Sequence, residues 1–399
     1  MSLSAATSTA LQQASAYQQA QIDEAIAAAD LVQARAALLP RVRDAFTATY
    51  NSPSRNDSAV QSFIAQNATH EYQNLIGVTG EWDFGLVAAV RRSRALLQAA
   101  HAGTEIARRA LVRGVNEAYY GAALATAKRQ AAEQSLAAAE EFQRVTELNF
   151  KAGEVPEVDV IRARLQTAAR RDDLLQARQA EAIANASLGT LLGLGITRAP
   201  SIEALPQNVD INDIQSITAA GVARRPEFVQ LEAQVRAARE AVGTARAGYL
   251  PSITYSLDKG FDTESLHQIP QHRGTLATAN VDVPLFDWGA THSRVRQAEL
   301  SARSAELQLQ ITRRDLYLQF LTAQQEATIA AERVDNARRA LADAERNLTI
   351  SIARYRAGEA PIIEATDAQT TAANQRLALQ QALFDFQVAR AHLREAAGE

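Results

Sequence analysis

The chain has 399 residues, 47% hydrophobic and 22% charged, so it can bury a core and is not a disordered tail. A net charge of −4, from 41 Lys and Arg against 45 Asp and Glu, gives no basic face of the kind that nucleic acid requires. The absence of cysteine excludes disulfides, thiolate nucleophiles and Cys-based zinc or iron–sulfur sites.

The start, Met1-Ser2-Leu3-Ser4-Ala5, lacks a basic n-region and an apolar h-region, so two readings fit: a cytoplasmic protein, or a mature segment whose export signal has been removed. No run approaches the roughly 18 apolar residues of a membrane-spanning helix, although a membrane β-barrel escapes that test because its strands alternate. Alanine is overused, which points to long helices in close contact. A first helix is predicted over about 11–38, ending at Pro40. Two strands follow, 41–50 and 70–84, joined by a polar loop over about 51–70. Val42, Phe46, Ala48 and Tyr50 mark one face of the first strand, interrupted by Asp44; Tyr72, Ile76, Val78, Trp82 and Phe84 mark one face of the second.

From Gly85 to Phe150 no proline interrupts the chain, and one helix of about 100 Å is predicted. Val87, Val90, Leu97, Ile106, Leu111, Leu124, Phe142, Val145 and Leu148 mark a narrow apolar seam with alanine between. So long a helix must lie against others as a coiled coil or bundle. Gly153 suits a helix C-terminal cap, and Pro156 the first turn of a return helix that runs to about Leu192. Residues 196–217 read as a loop-rich segment containing Pro200 and Pro206. A helix over 225–249 then leads into strands at 252–260 and 275–286, with a polar loop over about 259–274. Ile253, Tyr255 and Leu257 alternate with polar residues, as do Ala277, Ala279 and Val281. A second helical hairpin occupies 289–396 and turns at Pro361.

The chain repeats itself once. Lys151-Ala152-Gly153-Glu154-Val155-Pro156 returns as Arg356-Ala357-Gly358-Glu359-Ala360-Pro361, 205 residues later. Trp82-Asp83-Phe84-Gly85 is answered by Phe286-Asp287-Trp288-Gly289, and Leu38-Leu39-Pro40 by Tyr249-Leu250-Pro251. Matches in the same order at nearly constant offset indicate tandem duplication, with repeats at 1–210 and 211–399. The fold class predicted is mainly α: antiparallel coiled-coil hairpins plus four strands per chain. Four strands cannot close a barrel, and open edges are not viable in lipid, so closure requires several chains.

Three stretches carry a family resemblance: Ala245-Arg246-Ala247-Gly248-Tyr249-Leu250-Pro251, Val283-Pro284-Leu285-Phe286-Asp287-Trp288-Gly289 and Arg354-Tyr355-Arg356-Ala357-Gly358. With the duplicated strand–helix–turn–helix order, nearly the whole chain resembles the TolC-type outer-membrane efflux family. The resemblance implies a homotrimer whose twelve strands form an outer-membrane β-barrel in contact with lipid, continued by an α-barrel into the periplasm. It further implies a passive exit duct of a tripartite efflux or type I secretion system. The partners implied are a periplasmic adaptor and an inner-membrane pump of RND, ABC or MFS type, and no cofactor is implied.

A conduit does no chemistry, so charge at constrictions is what matters. Glu364 and Asp367 stand i, i+3 just after the second turn; the positions matching them in the first repeat are Asp159 and Arg162. By resemblance, Glu364 and Asp367 ring the periplasmic aperture and select cations. The family's arginine after the second turn's glycine is Ala360 here, which leaves Asp159 and Arg162 as a different lock. Acids in a helix's first turn are also favoured by the macrodipole without any function. The turn residues Gly153, Glu154, Pro156, Gly358, Glu359 and Pro361 are assigned to adaptor docking by resemblance. Trp82, Phe84, Phe286 and Trp288 are assigned to an aromatic belt at the membrane interface.

No enzymatic motif is present: the six histidines form no HExxH pair, and Gly189–Gly195 lacks the Lys-Ser/Thr of a P-loop. The competing reading is a soluble, elongated coiled-coil scaffold whose strands form a β cap.

Overall fold

A computed structural model describes residues 1–13, 15–52, 69–194 and 201–398. The helices are α1 (Leu3–Ala10), α2 (Ala16–Ala36), α3 (Phe84–Lys151), α4 (Glu157–Leu191), α5 (Ile211–Ser216), α6 (Pro226–Ala247), α7 (Ala290–Arg356) and α8 (Ile362–Ala397). The strands are β1 (Arg41–Tyr50), β2 (His70–Trp82), β3 (Ser252–Thr263) and β4 (Arg273–Asp282). Two compact units result. One holds residues 1–21, 103–228 and 311–399, and the other 22–102 and 229–310. Each takes residues from both repeats, because every repeat contributes strands to one sheet and a long helix to both units.

The all-helical unit is built on α3, α4, α7 and α8. Ala6 and Ala10 of α1 pack against Val115, Tyr119 and Ala122 of α3 and Leu188 of α4. The seam predicted along α3 is carried mostly by the alanines between the named side chains. Leu124 and Phe142 are buried, but Val87 and Leu148 are exposed, and most buried positions are alanines such as Ala95, Ala102, Ala132 and Ala139. Alanine lets two backbones approach closely, so it takes the contact face while larger side chains are left outside. The predicted helix over 11–38 is replaced by α1 and α2. The i→i−3 bonds Gln12 N to Thr9 O and Gln13 N to Ala10 O (both 3.1 Å) tighten and end α1 after its alanine face has been buried. The segment 196–217 is not all loop. Asp210 accepts hydrogen bonds from the N–H groups of Asn212 and Asp213 and so caps α5; residues 196–200 lie outside the described residues.

The second unit carries an antiparallel sheet in the order β1-β2-β3-β4. Its register aligns Val42, Val78, Leu257 and Ala277 across all four strands on one face, and Arg43, Gly77, Asp258 and Leu276 on the other. Asp44, which interrupts the apolar face, accepts a 2.7 Å hydrogen bond from Asn74 Nδ2 of the neighbouring strand. β2 stops at Trp82, not at 84, because Asp83 turns to cap α3 by accepting from Leu86 N at 2.8 Å. β4 runs Arg273–Asp282 in place of 275–286, since Pro284 has no N–H to offer a ladder. β3 runs on to Thr263, so the predicted polar loop over 259–274 shrinks to 264–272; of the other loop, 53–68 lie outside the described residues.

Beneath the sheet, in the same unit, α2, α6 and the adjoining parts of α3 and α7 pack on small residues such as Ala88, Ala99, Ala233 and Ala302. Polar contacts join neighbouring helices there: the ion pairs Arg239 with Glu306 at 2.6 Å and Arg246 with Glu299 at 2.8 Å, and a hydrogen bond between His101 Nδ1 and Glu24 at 2.8 Å.

Candidate functional site

The two helical turns share one backbone solution. After α3, Gly153 takes φ +80°, its N–H bonds Phe150 O at 2.9 Å and Glu154 N–H bonds Asn149 O at 2.9 Å. After α7, Gly358 takes φ +72°, with Gly358 N to Tyr355 O at 3.0 Å and Glu359 N to Arg354 O at 2.9 Å. This is the Schellman arrangement, which satisfies the last carbonyls of a helix and favours glycine at the left-handed position. Pro156 and Pro361 stand at the N-cap, one residue before the predicted first turn, with ψ near 156° and 153°. Extended ψ at that position aims the chain into the return helix. Gly153, Glu154, Pro156, Gly358, Glu359 and Pro361 are all solvent-exposed.

Around these turns the predicted charges separate into two kinds. Glu364 is half-buried, accepts a 2.6 Å bond from Arg354 Nη1 and receives the buried Ser351 hydroxyl at 3.4 Å. Asp159, also half-buried, accepts from Tyr355 Oη at 3.4 Å. Asp367 and Arg162 are exposed, and among the described residues neither side chain has a hydrogen-bond or ionic partner. Asp159 and Arg162 do not bond each other within the chain; three residues apart on one helix, Asp159 faces the neighbouring hairpin and Arg162 is exposed.

Sequence pattern alone gives Tyr355 and Arg354 no part in the site. In the structure, Tyr355 leaves α7 and packs its ring 5.3 Å from Phe142 of α3, inside a cluster with Ala163, Ile362 and Ala365. Burial pushes its phenol pKa up, and the Asp159 carboxylate beside it pushes the same way. Arg354 could have been found by symmetry. It and Glu364 lie five residues either side of Glu359, and an antiparallel hairpin brings such positions together. Further along the same helices, Gln166 Nε2 and Arg170 Nη2 of α4 both donate to Thr370 Oγ1 of α8, at 3.0 and 3.1 Å.

In the strand-bearing unit, the aromatic residues pair within each repeat. Trp82 lies 4.8 Å from Phe84, and Phe286 4.8 Å from Trp288, both edge-to-face. All four are exposed, Trp288 by 90%. The aspartate inside each motif caps the helix that follows. Asp287 accepts from Gly289 N at 3.1 Å and Thr291 N at 2.6 Å at the start of α7, as Asp83 does for α3. These bonds, led by those to Thr291, hold its carboxyl below the usual range. The apolar face of the sheet is open to its surroundings, with Val42 75% and Val281 63% exposed. Among the described residues, no helix is long and apolar enough to cross a membrane, and no group of His, Asp and Glu could hold a metal ion.

The family model for outer membrane efflux proteins matches residues 6–194 and 221–399. The toluene efflux pump outer membrane protein TtgC of Pseudomonas putida is 27% identical over 282 residues, covering 67% of this chain; the chain spans only 57% of that relative's length. Among solved structures, CusC aligns with a TM-score of 0.90 at 20% identity, covering 99% of this chain and 92% of that one. The outer membrane protein VceC from Vibrio cholerae aligns with a TM-score of 0.88 at 21% identity, covering 99% and 96%. These two share the fold, with its long helical hairpins and four-stranded antiparallel sheet. The match to the family model covers both repeats, and the chain belongs to the outer membrane efflux protein family.

Proposed function

We propose that this protein is a passive exit duct in the outer membrane, assembled as a homotrimer. The carrying observation is the sheet. One face is apolar and exposed over Val42, Phe46, Ile76, Leu257 and Val281, while the other bears Arg43, Gln73, Thr79, Ser256 and Asn280. β1 and β4 are its edges, each paired on one side only. In lipid such edges must close on other strands, and three copies give an even-numbered, twelve-stranded barrel with its polar face inward. A soluble β cap would leave the apolar face in water. Trp82, Phe84, Phe286 and Trp288 sit at the strand–helix junctions, where amphipathic rings favour a membrane interface.

The two turns are the periplasmic end of the duct in this reading. Threefold symmetry makes rings of Glu364 and Asp367, which favour cations, and Arg162 moderates them. Opening separates the hairpins that Tyr355 holds to Asp159. The exposed turn residues, Gly153 to Pro156 and Gly358 to Pro361, dock a periplasmic adaptor, through which an inner-membrane pump supplies the energy. TtgC's description as an efflux pump outer membrane protein supports such an assembly.

Single-channel recording of the detergent-purified protein in a planar bilayer tests the reading. Small, cation-preferring openings are expected. A folded protein that partitions into the aqueous phase and never inserts overturns it.

A further inference from the structure

The two edge strands carry charges that nothing in the chain neutralises. β1 (Arg41–Tyr50) and β4 (Arg273–Asp282) are each ten residues long. On the polar face of the sheet, β1 bears Arg41 and Arg43 at the end where β2 closes on α3, and β4 bears Asp282 at that same end. On the apolar face, at the opposite end, β1 has Tyr50 and β4 has Arg273. All five side chains are exposed. Among the described residues Arg41, Arg43, Arg273 and Asp282 have no ionic or hydrogen-bonded side-chain partner. Glu81, diagonal to Arg41 on β2, does not bond it.

Two ten-residue strands pair antiparallel over their full length in one register, with Arg41 opposite Asp282 and Tyr50 opposite Arg273. In that register polar positions of β1 meet polar positions of β4, as the alternation of a strand demands, whereas a slip of one residue turns one face over. Antiparallel pairing of β1 with a second β1, or of β4 with a second β4, over all ten residues sets polar positions against apolar ones. The edges therefore match head to tail, the arrangement that closes into a ring, and not as a two-fold pair. Directly opposite residues lie about 5 Å apart and diagonal ones about 7–8 Å, both within reach of arginine. Asp282 then faces Arg41 and has Arg43 on its diagonal; a stagger of two further residues exchanges those places and keeps both contacts.

We propose that Asp282 of one copy forms an ion pair with Arg41 and Arg43 of the next, and that this pair fixes the register in which β4 of one copy joins β1 of another. The inference rests on the duct reading and names the side chains at its seams. At the other end of the seam the same register lays the Arg273 guanidinium beside the Tyr50 ring, a cation–π contact.

The protein has no cysteine of its own, so disulfide trapping reports the seam directly. Asp282→Cys is combined in the full-length protein with Arg41→Cys, Arg43→Cys or Thr47→Cys, oxidised in detergent and run on denaturing, non-reducing gels. Cross-linked copies are expected with Arg41→Cys or Arg43→Cys and not with Thr47→Cys, because a disulfide needs Cα atoms within about 7 Å. Charge exchange reads the pairing itself. Asp282→Arg is expected to lower the temperature at which the folded trimer dissociates, and adding Arg41→Asp with Arg43→Asp to restore it. Should Asp282→Arg not fold, the cysteine series still decides. Cross-linking through Thr47→Cys, or an Asp282→Arg trimer as heat-resistant as the parent, overturns the pairing while leaving the duct intact. A folded parent protein that forms no trimer, with no cross-link in any cysteine pair, overturns the duct and the pairing together.

Discussion

The two helical turns have the same backbone and different work. Both end a long helix on a left-handed glycine and begin the next behind a proline. Yet Tyr355, before the second glycine, is 7% exposed, whereas Phe150, its counterpart before the first, is 42% exposed. The second hairpin inserts a ring, and the first provides the seat: Phe142 beneath it and Asp159 at its hydroxyl. Both turns keep what the peptide chain needs in order to reverse, while their side chains differ and are complementary, so a shared backbone carries an asymmetric contact.

The strongest way to break this comparison is Tyr355→Ala beside Phe150→Ala. Emptying the buried position is expected to cost about 3–5 kcal/mol, and truncating the exposed one under about 0.5 kcal/mol. Denaturant unfolding of the two variants checks this, and equal losses would refute the asymmetry. The glycines sharpen it from the other side. Gly153→Ala and Gly358→Ala each place a Cβ at positive φ and are expected to cost about 1 kcal/mol, the same at both turns within error.

Neutralising Glu364 and Asp367 together, as Gln and Asn, is expected to change stability by less than about 1 kcal/mol, because the pair with Arg354 is partly exposed. In the proposed duct, reversal potentials in a salt gradient should lose their cation preference, and unchanged selectivity sinks the acidic-ring assignment.

The smallest effect is alkaline. Tyr355 has its pKa raised above the ordinary value near 10, chiefly by burial. A raised folded pKa means that the stabilisation is complete below pH 10 and is lost as pH climbs through the folded value. Tyr355→Phe should flatten that alkaline limb while costing about 1 kcal/mol at neutral pH. A Tm–pH profile identical to that of the parent would remove Tyr355 from the account.

Much of this was legible in the chain itself. The glycine–proline phrases located both turns, since few residues besides glycine accept positive φ and proline bars a helix interior. Alternation of Ile253, Tyr255 and Leu257 with serine and threonine marked a two-faced strand, because successive side chains in a strand point opposite ways. The tryptophan–aspartate and phenylalanine–aspartate motifs were visible as repeats, although their capping role emerged only with the N–H groups of Leu86 and Thr291 in place.

Other features depended on distance in space. The seam of α3 was legible as large apolar residues with alanine between, but which of them are buried was not: alanine takes most of the contact face, because what a helix buries is set by how near its neighbour comes. Asp159 and Arg162 looked like partners, yet Asp159 meets Tyr355, 196 residues away in sequence. Arg113 of α3 and Glu395 of α8 likewise pair at 3.1 Å across 282 positions of sequence. Sequence determined the local conformations, since φ, ψ and side-chain period are properties of neighbouring residues. Only the tertiary structure decided which charges meet, since those pairings follow from the packing of helices distant in the chain.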